Sequence, residues 1–179
     1  KQNWGNKMKA FTLWLTGLSG SGKTTIADKL AERLREEGKK IVIIDADVIR
    51  KEVLPELGYS DEERHKIRQT IANVCHLLTK NGIINIASAI AATKESKDYA
   101  IQTGNKIYWA YVKCPIKECE ERDPQGNYKK FREGVWDNFV GITTPYHEPE
   151  NPDVVIETDK ESVEEGVEKL LHFLKEKVN

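Results

Sequence analysis

The chain has 179 residues, 39% apolar and 32% charged, a balance that fits one globular domain and not a disordered or fibrous chain. Its 28 basic and 29 acidic residues give a net charge of −1, so no basic excess drives nonspecific nucleic-acid binding. No apolar run approaches the roughly 18 residues of a membrane helix, and the polar start, Lys1 to Lys9, lacks the apolar stretch of a signal peptide. In chain order, Met8 reads as the natural start, residues 1–7 as an N-terminal extension, and residues 8–179 as a single domain. The apolar run Phe11–Thr16 reads as a buried strand, and Thr25–Glu37 as a helix stopped at Glu37-Gly38. Lys40–Ile44 is a second, β-branched strand. Ser60-Asp61-Glu62-Glu63 has the form of a capping box opening a helix to Lys80, with Ile67, Ile71, Val74 and Leu78 on one face. Asn81-Gly82 ends it, and Ile83–Ala87 is a third strand. A helix over Thr93–Thr103, a strand over Lys106–Val112, a helix over Ile116–Arg122, a strand over Val154–Ile156 and a helix over Glu161–Lys177 complete the pattern. The last helix, with Val163, Val167, Leu170, Leu171 and Leu174, is expected to pack on the sheet; a homodimer contact is the other use of such a face.

This alternation predicts an α/β fold: three layers, with helices on both faces of a mainly parallel five-stranded sheet, and ligands gathered at the C-terminal ends of the strands. The three cysteines, Cys75, Cys114 and Cys119, form no C-x-x-C pair, so they read as reduced and buried in a cytoplasmic protein without a zinc site.

The most specific feature follows the first strand. Gly17-Leu18-Ser19-Gly20-Ser21-Gly22-Lys23-Thr24 matches G-x-x-x-x-G-K-[ST] between a strand and a helix, the phosphate-binding loop. Its backbone N–H groups and the helix N-terminus favour phosphate oxygens. Lys23 can reach the β- and γ-phosphates of ATP, and the Thr24 hydroxyl can ligate Mg²⁺. Thr25 continues the loop into the helix. A glycine-rich turn without a ligand would not need the lysine and the hydroxyl as well.

Past the second strand stand Asp45, Asp47 and, three residues on, Arg50. A small-molecule kinase needs a carboxylate to orient the acceptor hydroxyl and take its proton, and cations to hold an anionic acceptor. Asp47 as a simple helix cap is the plainer reading, but it leaves Asp45 and Arg50 without a purpose. From Arg122 to Pro152 no periodicity survives, while Arg122, Lys129, Lys130 and Arg132 make the stretch basic. A long basic loop beside a phosphate-binding fold predicts a mobile lid, over about residues 122–150. No N-K-x-D motif points to guanine, and the four histidines show no ligand spacing.

These segments resemble the adenylylsulfate kinase family over nearly the whole chain from Leu13. Asp45-Ala46-Asp47-Val48-Ile49-Arg50 resembles the family's D-G-D-N-V-R, and Leu57-Gly58-Tyr59-Ser60 its L-G-F-S. Arg122-Asp123-Pro124-Gln125-Gly126-Asn127-Tyr128-Lys129-Lys130 resembles its lid motif R-D-P-K-G-L-Y-K-K. Asn138-Phe139-Val140-Gly141-Ile142, with Pro145-Tyr146 and Pro149-Glu150-Asn151-Pro152, resembles its closing motif. The resemblance implies ATP- and Mg²⁺-dependent phosphorylation of the 3′-hydroxyl of adenylylsulfate. It implies Asp47 as the base and Asp45 as a holder of Mg²⁺ and its waters. Arg50 and Arg64 would hold the phosphosulfate, and Tyr59 and Phe139 would stack on the acceptor base, unless either ring is simply core. Lys129 and Lys130 would close over the phosphates, with Arg122 near the ATP.

The departures are on the acceptor side. The family's F-I-S-P-Y-R falls on Ala89-Ile90-Ala91-Ala92-Thr93-Lys94. Ala91 has no hydroxyl to carry a phosphoryl group, the role sometimes given to the family's serine, so transfer is expected to be direct; Lys94 keeps a charge without the arginine fork. The family's R-x-x-N-I-R becomes Arg64-His65-Lys66-Ile67-Arg68, and Val48 and Asn127 replace an asparagine and a leucine. Two other functions stay open at this stage. One is a relative acting on another nucleotide, such as a cytidine diphosphate conjugate; the other is a non-catalytic nucleotide-binding regulator.

Overall fold

The computed structural model describes residues 9–90 and 94–178. The expectations on residues 1–7, Met8, Ala91, Ala92 and Thr93 lie outside them. Five strands, β1 (Thr12–Thr16), β2 (Ile41–Asp45), β3 (Ile84–Ser88), β4 (Ile107–Lys113) and β5 (Val154–Glu157), form one sheet in the order β2-β3-β1-β4-β5. Every pairing is parallel. The sheet is thus wholly rather than mainly parallel. β1, at its centre, is buried at all five positions, which explains its uninterrupted apolar run.

Two helix layers cover it. On one face α1 (Lys23–Glu36) and α7 (Val163–Val178) pack Ile26, Leu30, Leu34, Val167, Leu170 and Leu174 against β1, β3, β4 and β5. The apolar stripe of α7 is therefore spent on this chain's own core. On the other face α3 (Asp61–Lys80) and α4 (Lys94–Gln102) cover Trp14 and Trp109, whose rings stack at 5.1 Å. The capping box forms as its sequence requires: Ser60 Oγ accepts from Glu63 N–H (3.3 Å), and a Glu63 carboxylate oxygen accepts from Ser60 N–H (3.0 Å).

The structure differs from the sequence reading in two places. β2 runs directly into α2 (Ala46–Val48) and a π-helical turn, Ile49–Val53. The aperiodic stretch after Arg122 is not structureless. It follows α5 (Ile116–Arg122), contains α6 (Asn127–Arg132), and buries Tyr128, Phe139 and Val140 with Leu18, Cys114 and Cys119 in a third small core. Its apolar residues have no 3.6-residue period because one short helix and several turns share the burial. Arg132 ties α6 to α5 with two bonds to Glu120 (2.8 and 3.1 Å).

Candidate active site

The site starts where β1 ends. The loop curls so that Ser21 N–H donates to the Leu18 carbonyl (3.2 Å), and α1 opens behind it with Ile26 N–H on the Gly22 carbonyl (3.0 Å). Gly20 and Gly22 have φ of +75° and +98°, left-handed conformations that favour glycine. A Cβ at Gly20 would stand 2.6 Å from the Cys119 carbonyl oxygen. Gly17, Leu18 and Ser21 form the buried back of the loop. Lys23 Nζ donates to the Leu18 carbonyl (2.6 Å). Burial pushes this ammonium down to about 8 despite the opposing pull of Asp45 and Asp47.

Across the cleft, Asp45 at the end of β2 divides its carboxylate. Oδ1 accepts from Asp47 N–H (2.8 Å) and Oδ2 from the Thr24 hydroxyl (3.2 Å). The cap of α2 is therefore Asp45. Asp47 lies in the first turn with an exposed carboxylate at the cleft, so the plainer alternative of Asp47 as a cap does not hold. Thr24 and Asp45 together suit Mg²⁺, an ion that keeps most of its waters and takes one or two protein oxygens beside phosphates.

The third wall is made of side chains. Glu63 accepts from the N–H groups of Gly58 (2.9 Å) and Ser60, folding the turn that presents Tyr59. Arg50 donates to the Gly58 carbonyl and lays its guanidinium 4.3 Å from the Tyr59 ring centre. Arg64 donates from Nε to the Tyr59 carbonyl (2.7 Å) and from a terminal nitrogen to the Asn138 carbonyl (3.2 Å). Burial and neighbouring Arg50 lower the Arg64 pKa. Trp136 lies 4.7 Å from Tyr59 and 6.1 Å from Phe139, so the two rings expected to flank a base are bridged by a third.

The cleft enclosed by these walls measures about 360 Å³, in the range of small-ligand sites. Ser19, Gly20, Gly22, Lys23, Thr24, Thr25, Asp45, Asp47, Arg50, Tyr59, Arg64 and Phe139 all line it. Besides Gly17, Leu18 and Ser21 behind the loop, four expected residues do not. Arg122 donates to the Thr158 hydroxyl and carbonyl (3.0 and 2.8 Å), and that hydroxyl donates to the Ser21 carbonyl (2.8 Å), so Arg122 braces the loop from behind. Lys129 pairs with Glu133 at 3.9 Å, and Lys130 lies 5.7 Å from the Trp136 ring centre. Lys94 lines a separate depression with His65, Glu95 and Asp98.

α6 nevertheless reaches the phosphate loop. Buried Tyr128 donates to the Ser19 carbonyl (2.9 Å), and Asn127 Nδ2 to the Ser19 hydroxyl (3.3 Å). Asp123 caps this helix by accepting from the N–H groups of Tyr128 (3.1 Å) and Lys129 (3.0 Å).

Comparison with known proteins agrees with this architecture. The family model described as Adenylylsulphate kinase matches residues 9–157. The chain belongs to the adenylylsulfate kinase family. It is 40% identical to the adenylyl-sulfate kinase of Halothermothrix orenii, over 94% of this chain and 91% of that one. It is 42% identical to that of Picosynechococcus sp., over 94% and 95%. The APS kinase of Mycobacterium tuberculosis, solved in complex with AMPPNP and APS, superposes with a TM-score of 0.88 at 32% identity, over 93% of this chain and 98% of that one. Against this family frame, the cleft residues without a role on sequence grounds include Arg68, Asn127 and Trp136. Arg68 follows Arg64 by one helical turn, a spacing that was available as a signal. Trp136 lies in an aperiodic stretch and gives no such signal. Among the described residues no helix is long and apolar enough to cross a membrane, and no cluster of His, Cys, Asp or Glu forms a metal site by itself.

Proposed function

We propose that this chain transfers the γ-phosphoryl group of ATP to the 3′-hydroxyl of adenylylsulfate, releasing ADP and 3′-phosphoadenylylsulfate. The observation that carries the reading is the shared cleft. A phosphate loop, a free carboxylate at Asp47 and an arginine-rich, aromatic wall face one space of about 360 Å³. The phosphate loop suits the triphosphate, the rings suit a base, and the arginines suit an acceptor that is itself an anion. The family's relatives, named for this activity, support the same reading.

In this proposal Asp47 orients the 3′-hydroxyl and takes its proton as the oxygen attacks the γ-phosphorus. The bond from that phosphorus to the β,γ-bridging oxygen breaks, and ADP leaves with the electron pair. Lys23, released from the Leu18 carbonyl, follows the charge on the β- and γ-oxygens. Thr24 and Asp45 would hold Mg²⁺, which supplies neutralisation of phosphate charge when bound. Transfer is direct, without a phosphorylated side chain. Residues 122–150 act as the lid that excludes water, and closure brings Lys129 and Lys130 to the phosphates. The test is ADP release with ATP, Mg²⁺ and adenylylsulfate, beside a panel of nucleotides that includes cytidine diphosphate conjugates. Saturable turnover with adenylylsulfate, well above the panel, is the expected outcome; turnover only with another member would overturn the acceptor assignment.

A further inference from the structure

Arg68 is a third arginine of the cleft, beside Arg50 and Arg64. It lies one turn beyond Arg64 on α3 and lines the same cleft. Its Nε donates to the hydroxyl of Ser96 (2.6 Å), a buried residue of α4. That bond fixes the direction of the guanidinium without neutralising it. Among the described residues no carboxylate forms an ion pair with Arg68; Asp61 and Glu95 act on it only from a distance, and the bond to Ser96 leaves from Nε, not from the fork. Burial first, then the charge of Arg64, lower its pKa against the opposing pull of Asp61 and Glu95, so the cation is desolvated beside another cation and only partly compensated. Such a group is costly in the empty protein unless a ligand brings negative charge to it.

The neighbouring arginines are each tied to backbone carbonyls, although Arg50 Nε has no hydrogen-bond partner among the described residues. Arg50 holds the Gly58 carbonyl and lies on Tyr59, while Arg64 holds the carbonyls of Tyr59 and Asn138. Lys94, which stands at the family's arginine position, lines another depression. The planar fork of Arg68, held only through its Nε, is placed to meet an oxyanion with two parallel bonds. Its place on α3, beside Arg64 and the Tyr59 turn, puts it on the acceptor wall rather than on the phosphate loop.

We propose that Arg68, positioned by Ser96, grips the phosphosulfate group of the acceptor and takes over the anchoring that Lys94 cannot give from outside the cleft. This rests on the acceptor assignment above. The experiment is steady-state kinetics of wild type, Arg68→Ala, Arg68→Lys and Ser96→Ala, with both substrates varied and the salt concentration stepped. Arg68→Ala is expected to raise the KM for adenylylsulfate about tenfold or more and leave the KM for ATP within about twofold. It is also expected to flatten the rise of that KM with salt, since one screened contact is gone. Arg68→Lys recovers part of the loss, and Ser96→Ala raises the same KM by a smaller factor. An unchanged KM for adenylylsulfate, an equal rise in both KM values, or an unchanged salt dependence would each overturn the assignment while leaving the proposed reaction standing. A wild type inert towards adenylylsulfate would overturn both. Melting temperatures of the variants separate a folding defect from a binding one, and partial rescue by lysine is not expected of a residue that serves only packing.

Discussion

The two sides of the cleft are built from different material. The phosphate side is backbone: a loop whose glycines accept left-handed angles, backed by a helix N-terminus and braced by Arg122, Thr158, Asn127 and Tyr128. The acceptor side is side chain: three arginines and three aromatic rings drawn from the Arg50 turn, from the Tyr59 turn and α3 behind it, and from the stretch after α6. A backbone cradle recognises phosphate wherever it occurs, while a wall of side chains can be retuned residue by residue. Apart from Asn127, which bonds to Ser19 of the loop, the departures from the family pattern were expected on the second side, in keeping with this difference.

Substitutions on the phosphate side should therefore abolish transfer, and those on the acceptor side should shift one KM. The largest effects are expected at Asp47 and Lys23. Asp47→Ala should lower kcat by about 10²–10⁴-fold, the usual worth of a positioned base. Lys23→Ala should lower kcat by at least about 10²-fold. Its melting temperature should not fall, because the removed ammonium is desolvated in the empty protein. Single-turnover kinetics and a thermal melt check both, and an active Asp47→Ala enzyme would remove that residue from the chemistry.

Gly20→Ala tests the cradle itself. At φ +75° an added Cβ meets the Cys119 carbonyl oxygen at 2.6 Å, and its nearest neighbours are all Cys119 backbone, with no flexible end to yield. A loss of about 1–3 kcal/mol of stability is expected, together with a raised KM for ATP. On the opposite side, Trp136→Ala should raise the KM for adenylylsulfate about tenfold, the worth of one stacked base, and spare the KM for ATP. Adenylylsulfate, and not ATP alone, should change the fluorescence of Trp136, read as the difference from Trp136→Phe. Equal effects on the two KM values in either variant would erase the distinction between the sides.

The same difference explains what was legible in the sequence. The five strands and the phosphate loop could be read because parallel strands leave unbroken apolar runs and the loop must place glycines at fixed spacing. Asp45 and Asp47 were recognisable as a pair, but which one caps α2 depends on backbone angles that the letters do not carry. Tyr59, Arg64 and Phe139 came only from resemblance to a family, since nothing local says that residues 75 or more positions apart share a wall. Trp136 was silent for the same reason. Lys94 was misleading in the opposite way: it aligns with an arginine, yet α4 carries it to another depression.

The smallest effect expected is a dependence on pH, and it sharpens the picture of the phosphate side. In the empty protein the Lys23 ammonium loses its proton near pH 8 because it is buried, and the unfolded chain keeps that proton to about pH 10.5. Its charged form is thus a cost to the fold below pH 8, a cost lifted as pH rises from 8 towards 10.5. Nucleotide binding reverses the sign. Phosphate oxygens beside Lys23 favour the ammonium, so above pH 8 each nucleotide bound draws a proton onto Lys23. The Kd for ATP should weaken about twofold by pH 8 relative to pH 7, and about tenfold by pH 9. Calorimetry in two buffers of different ionisation enthalpy should register uptake approaching one proton per nucleotide at about pH 9, and none in Lys23→Ala. A flat Kd with no proton uptake would mean that Lys23 already holds its charge in the empty cleft. Its bond to the Leu18 carbonyl and the pull of Asp45 and Asp47 would then outweigh burial.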